Sequence, residues 1–250
     1  MIYYVHHIPE TINVSNITAT LGRKLTHALK ELIEAGKGDD AESRPLPERS
    51  PDHRVVLGES GYVQTWNKAQ LVALADEHDL SIRVECGAGD FVSEFTAVLS
   101  VWGAPDLPED LAGALRDCFA LGAVPTEPQN LLFFVQQLVE MIARALSPGV
   151  NDPFTAINGL NWIYVGLATA AQYEGGLRAS AQDRVHFEAL TLEMLVQRGI
   201  DDAAPYLRSD PLARAHLLRL LDRLIAECEG TPGGEVFQAA KARCAEAFAE

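Results

Sequence analysis

Between residues 153 and 173 the chain reads "PFTAINGLNWIYVGLATAAQY", 21 positions without a charged side chain. At about 1.5 Å per residue a helix of that length can cross a bilayer, so the segment must either span a membrane or be enclosed by other protein. Asn158, Gly159, Asn161, Gly166, Thr169 and Gln172 keep its hydropathy moderate, and small residues suit tight packing between helices. A buried core helix is therefore expected. Just before it, "QNLLFFVQQLVEMIARAL" is apolar nearly all round, with Gln136, Gln137, Glu140 and Arg144 as one narrow polar stripe; such a helix is covered on most sides. Glu140 and Arg144 stand at i and i+4 in the favourable order and are expected to pair. Two helices of this kind need others around them. Amphipathic patterns in "PEDLAGALRDCFAL", "AQDRVHFEALTLEMLVQR", "DPLARAHLLRLLDRLIAECE" and "EVFQAAKARCAEAFAE" predict a helical bundle over residues 107–250.

The two apolar helices are joined by "ALSPGVNDPFTAING". Pro148 cannot continue the helical hydrogen-bond ladder, and Gly149 can take the left-handed conformation that closes a helix. Asp152 followed by Pro153 is a helix start: the carboxylate accepts from free N–H groups, and proline at the first position loses no bond. Asp210 with Pro211 repeats the device. Ser147 and Asn151 can satisfy the corner's loose groups locally. Beside this structural account stands a functional one, in which Glu140, Arg144, Ser147, Asn151, Asp152 and Asn158 converge on a ligand-binding polar pocket. No residue is assigned a catalytic role, because Ser147 lacks the G-x-S-x-G elbow of a nucleophilic serine. Asp152 already fills the helix N-terminus with negative charge, so an anion would need Arg144, and one carboxylate is a poor cation site. His6 and His7 are adjacent rather than i, i+4, the wrong spacing for a helical metal pair. No metal and no cofactor are expected.

Upstream the texture differs. Val14, Ile17, Leu21, Leu25, Leu29 and Ile33 recur at helical spacing, which predicts an amphipathic helix ending near Gly36, within an N-terminal region of residues 1–36. "GKGDDAESRPLPERSPDH" reads as a linker or mobile loop over residues 37–53. Residues 54–106 then alternate short strands, "RVVLG", "GYVQTW", "SIRVECG" and "TAVLSVWG", around one helical insert, "NKAQLVALADEHD", and are expected to form a small β-rich module. Asn67 and Gln70 suit a capping pair for the insert. "GAGDFVSEFTAVLSV" reads as a tight turn followed by alternating positions. It resembles the turn of biotinyl and lipoyl-type barrel-sandwich domains. The module's lysine, Lys68, stands at the start of the helix rather than at a hairpin tip, which argues against a swinging-arm carrier. The fold class expected is α+β, mostly α: a barrel-sandwich-like module followed by the helical bundle.

Thirty-five acidic against 20 basic side chains give a formal charge of −15. A surface so acidic repels phosphate backbones and anionic membranes, so no nucleic-acid partner is expected. Cys86, Cys118, Cys228 and Cys244 form no CxxC pair, which argues against a zinc ribbon or redox site. They read as buried thiols of a reducing compartment, with two disulfides as the alternative.

"IYYVHHIPETINVSNI", "GYVQTWNKAQLVALADEHDLSIRVECGAGDFV" and above all "RALSPGVNDPFTAINGLNWI" resemble the C-terminal half of a bacterial family of predicted membrane proteins, domain of unknown function 2254. Family members carry transmembrane helices before the segment corresponding to "IYYVHHI" and a basic and acidic cluster where this chain has "TEPQNLLFFVQQL". The resemblance implies the soluble portion of a cell-membrane protein, facing the cytoplasm and beginning where the last span leaves the bilayer. Its expected partners are its own transmembrane region and further copies of itself. The function expected is regulation or oligomerisation of a membrane protein such as a channel or transporter; the alternative is an enzyme or ligand sensor built on the pocket at residues 147–152. Residues 1–8 are expected to pack on another chain or on detergent.

Overall fold

The computed structural model describes residues 14–36, 44–125, 130–173, 177, 184–188 and 190–249. The apolar start at residues 1–8, with His6 and His7, and the first part of the 37–53 segment lie outside the described residues. In chain order the elements are α1 (Val14–Gly36), β1 (His53–Val56), β2 (Gly61–Trp66), α2 (Lys68–Glu77), β3 (Ser81–Val84), β4 (Phe91–Val92), β5 (Ala97–Trp102), α3 (Glu109–Arg116) and β6 (Phe119–Gly122). They continue with α4 (Leu131–Ala145), α5 (Pro153–Ala171), β7 (Val185–His186), α6 (Leu192–Val196), a π-helical turn (Gln197–Asp201), α7 (Ala204–Leu207), α8 (Pro211–Glu227) and α9 (Pro232–Ala249). With 57% helix and 13% strand among the described residues the fold is α+β and mostly α. The chain divides into two units, one of residues 1–35, 134–177 and 190–250, the other of residues 36–133 and 178–189.

The helical unit is organised on α5, the uncharged segment. Ala156, Gly159, Leu160, Ile163, Gly166, Leu167 and Ala170 are buried along it, and glycines set how closely its neighbours approach. A Cβ on Gly166 would lie 2.7 Å from Leu25 Cδ2, one on Gly159 2.8 Å from Ile142 Cγ1, and one on Gly22 2.2 Å from Trp162 Cδ2. No side chain larger than hydrogen fits these seats without movement, so α5 lies wedged between α1 and α4. None of the described helices is long and apolar enough to cross a membrane.

On α1 the buried side agrees with the one read from sequence only at Leu25 and Leu29. Thr18, Gly22, Leu25 and Leu29 are buried, whereas Ile17 is 44% exposed. At about 100° per residue a strict i+4 row drifts by about 40° per step, so it winds around the helix and only its middle faces the core. Thr18 takes the vacated position, and its hydroxyl meets Met141 Sδ at 3.8 Å. The helix read over residues 181–198 is also shorter than expected. Val185–His186 is a strand, α6 covers five residues, and the chain then widens into the π turn. Gly199 sits there under Ile163 and Val135, where a Cβ would come within 2.9 and 3.2 Å of their side chains.

The other unit contains a four-stranded sheet, β1-β5-β3-β7, and a three-stranded sheet, β4-β2-β6. All pairings are antiparallel except β3 with β7. Val63, Leu71, Ile82, Leu99 and Leu115 are fully buried in one hydrophobic cluster. β5 does not alternate as expected: five consecutive residues from Val98 are buried, because the strand is central to its sheet and covered on both faces. The helix read through "PEDLAGALRDCFAL" stops at Arg116, and Phe119–Gly122 leaves it to pair with β2. A four-residue apolar run carries too little periodicity to separate strand from helix end. Asn67 caps α2 as expected, its Oδ1 accepting from Gln70 N at 3.1 Å. The described end of the 37–53 segment is tied down: Trp102 Nε1 donates to Arg49 O at 2.8 Å, and Gly103 N to Asp52 Oδ2 at 2.8 Å. The Arg49 guanidinium, bonded to the same carboxylate, draws the Asp52 pKa down to about 2.

Candidate functional site

Every backbone bond of the corner between α4 and α5 is directed inward. Ser147 N and Oγ both donate to Arg144 O, at 3.2 and 2.7 Å, closing α4. Val150 N and Asn151 N both donate to Ser147 O at 3.0 Å, and Asp152 N returns to Ala145 O at 2.7 Å. The left-handed position expected at Gly149 falls instead on Asn151, with φ of 50°. Asparagine tolerates that region better than other non-glycine residues, so the turn closes two positions later than the Pro-Gly pair suggests. Asp152 then starts α5: Oδ1 accepts from Phe154 N and Thr155 N at 3.1 Å each, and Oδ2 from Thr155 Oγ1 at 2.5 Å. The Thr155 hydroxyl, followed by its amide, holds the Asp152 carboxyl below the usual carboxylate range. This tight frame leaves two large apolar side chains outside it, Val150 at 61% and Phe154 at 74% exposure.

The six candidate residues do not share one pocket. Ser147, Asn151 and Asp152 belong to the corner. Glu140 and Arg144 pair as expected, at 3.4 Å, but they line an open groove of 570 Å³ shared with Arg198, Asp202 and Tyr206. Asn158 is half-buried on α5, and none of the corner's hydrogen bonds reaches it.

The polar residues that do gather were not visible as a group in sequence. They surround the π turn, which separates the Glu140 groove from a larger one of 770 Å³ with Glu193, Asp201, Glu235 and Arg243 on its wall and Ala239 and Cys244 on its floor. Arg198 bonds Asp202 at 3.3 Å, and Arg243 grips Asp201 through Nε and a terminal nitrogen, at 3.1 and 2.8 Å to Oδ2. Glu193 and Glu235 make no such bond among the described residues. The i, i+4 spacing of Arg198 and Asp202 was a readable signal; the extra residue of the π turn, which turns Asp201 toward Arg243, was not.

A second polar row joins α5 to α8. Tyr164 OH donates to Glu227 at 2.8 Å, Arg223 Nε donates to the same carboxylate at 2.8 Å, and His216 Nε2 meets Asn161 Oδ1 at 2.7 Å. That bond needs the proton on Nε2, leaving Nδ1 to accept from Arg219 at 3.4 Å. Burial, then the Arg219 charge, lowers the His216 pKa.

All four cysteines are free thiols. Burial pushes Cys86 up to about 12 and Cys118 and Cys244 to about 11, far from the depressed values of a reactive thiolate. Among the described residues no group of three His, Cys, Asp or Glu side chains could hold a metal ion.

Comparison with known proteins adds a context. The profile of a family described as "Predicted membrane protein (DUF2254)" matches residues 1–223. Uncharacterized protein Rv1290c of Mycobacterium tuberculosis and uncharacterized protein Mb1321c of Mycobacterium bovis are each 25% identical to the chain over 241 residues, covering 91% of it and 46% of their own length. The chain thus spans about half the length of the curated relatives it matches. No solved structure matches it.

Proposed function

The chain belongs to the DUF2254 family of predicted membrane proteins, and from that premise we propose that it is a regulatory and assembly domain acting outside the bilayer, on the cytoplasmic side, of a bacterial channel or transporter. The observation that carries this reading is the fate of α5. In a chain from a membrane-protein family, the long uncharged helix is used up by internal contacts with Gly22, Leu25 and Ile142, leaving none of its buried face for lipid. Four free thiols, three of them buried, suit a reducing compartment and favour the cytoplasmic side.

The reading makes two measurable demands. Expressed in bacteria, the chain should leave washed membranes under alkaline carbonate, whereas retention as an integral protein would end the proposal. In the longer parent protein, a cysteine introduced at the exposed Phe95 should react with an impermeant maleimide only after cells are broken. Labelling of intact cells would put the domain on the other side.

A ligand sensor is the second reading, favoured by the 570 Å³ groove that joins Glu140 and Arg144 to Arg198 and Asp202. A ligand there would exchange two solvent-exposed i, i+4 pairs for its own contacts at small cost, since such pairs contribute about 0.5 kcal/mol or less.

A further inference from the structure

The guanidiniums of the Glu140 groove are held loosely. Arg144 on α4 and Arg198 on the π turn each make one side-chain bond to a described residue, to Glu140 at 3.4 Å and to Asp202 at 3.3 Å. A charge-assisted N–H···O bond normally measures about 2.7–2.9 Å, and Arg243 reaches that length on Asp201, with a second bond at 3.1 Å from Nε. Arg144 and Arg198 therefore keep most of their N–H donors for another acceptor. The side chains of the two pairs are between 41% and 79% exposed, so releasing either pair to a ligand strands no buried charge.

Charge balance narrows what that ligand is. Asp201 also lines the groove but is satisfied by Arg243. Two guanidiniums and two carboxylates are left, and their charges cancel. An anion that took both arginines would leave Glu140 and Asp202 unpaired and repelling it; a cation that took both carboxylates would leave Arg144 and Arg198 in the same position. A molecule with one carboxylate and one ammonium replaces both pairs at once. Beside the charged groups lie Val139, Ala143 and Pro205, with Tyr206 49% exposed, an apolar surface for a side chain. The volume of 570 Å³ falls in the range of small-molecule sites, about 300–1,000 Å³.

We propose that this groove binds a small zwitterion of the amino-acid class with an apolar side chain. Arg144 and Arg198 take its carboxylate, Glu140 and Asp202 take its ammonium, and Tyr206 covers the side chain. This rests on the ligand-sensor reading above and supplies its ligand class.

L-Leucine and three relatives test it by calorimetry on the full chain at neutral pH. N-acetyl-L-leucine keeps only the carboxylate, L-leucinamide only the ammonium, and N-acetyl-L-leucinamide neither charge. Leucine should bind tighter than each relative by about tenfold or more, since losing either charge removes charge-assisted bonds. Arg144→Gln with Arg198→Gln should weaken leucine by about tenfold and leave leucinamide binding at least as well as leucine. Glu140→Gln with Asp202→Asn should do the reverse, leaving acetyl-leucine at least level with leucine. Residues that only held the fold would lower all affinities together, without this exchange of preference, and that result refutes the assignment. All four side chains are solvent-accessible, and circular dichroism reports whether the variants fold. On the natural chain, acetyl-leucine or leucinamide binding as tightly as leucine refutes the zwitterion and keeps the groove as a ligand site. Leucine binding that survives both double variants refutes the groove as its site. Absence of binding by all four probes, charged and neutral alike, refutes the sensor reading as well.

Discussion

α5 and α8 begin with the same dipeptide and come to opposite ends. Asp152-Pro153 and Asp210-Pro211 both place a carboxylate at the N-cap and proline at the first helical position, and both carboxylates accept from the backbone three residues on, at 3.1 and 2.8 Å. Both also leave an apolar residue exposed just after the proline, Phe154 at 74% and Leu212 at 43%. Beyond that they part. α5 has no charge and three tightly seated neighbours; α8 buries Ala213, Leu217, Leu221 and Leu224 and turns Arg219, Asp222 and Arg223 to solvent. The shared start sets where a helix begins and says nothing of how deeply it lies. Depth comes from charge and from the size of the side chains at the crossings.

The largest expected difference between the two helices is at their contacts. Gly166→Leu puts atoms where Leu25 Cδ2 stands, 2.7 Å from the new Cβ, and should destabilise the chain by about 1–3 kcal/mol in chemical denaturation. Ala226→Leu on the exposed side of α8 should change stability by about 0.5 kcal/mol or less. Equal effects would mean that α5 is not seated as described.

The caps come next. Asp152→Ala and Asp210→Ala should each cost about 0.5–2 kcal/mol, with the greater loss at Asp152, which accepts two amide bonds and the Thr155 hydroxyl. Asp152→Asn keeps an acceptor for the amides and should recover most of the loss. If Asp152→Asn is as damaging as alanine, the charge matters more than the cap, and the corner does something besides starting α5.

Proton linkage gives a smaller effect and separates the two helices by pH. The His216 pKa is lowered in the folded chain, so the unfolded chain binds the proton more readily. Stability contributed by neutral His216 is then complete above the ordinary histidine value of about 6.5 and declines as pH falls through the lowered one. His216→Gln should flatten that limb in pH-dependent melts. Asp152, also lowered, acts further down: its contribution is present above the ordinary carboxylate value of about 3.9 and lost as pH falls below it. A melt flat between neutral pH and the carboxylate range would remove the His216 row from the contacts that hold α8 to α5.

The smallest stability effect is expected at the two exposed apolar residues. Phe154→Ser and Leu212→Ser should each change stability by about 0.5 kcal/mol or less. Should Phe154→Ser nonetheless abolish function of the parent membrane protein while Leu212→Ser does not, the corner is a contact surface and not only a helix start.

Local chemistry was enough to read much of this protein. Both Asp-Pro starts, the Asn67 cap, the Glu140–Arg144 pair and the burial of α5 follow from neighbours in the chain, because each depends on groups at most four residues apart or on the absence of charge over a long run. Three things needed the fold. Which side of α1 is buried depends on where Trp162 and Leu25 pack against glycines on distant segments. Phe119–Gly122 and Val185–His186 became strands because β2 and β3 offered edges to them. Glu140 and Arg144 line a groove with Arg198 and Asp202 rather than with the Asp152 corner, a meeting of segments more than 50 residues apart that only packing decides. Sequence specifies bonds between near neighbours, since their geometry is set by the backbone itself; it does not specify which distant surfaces meet, since that is decided by the shape and size of everything packed between them.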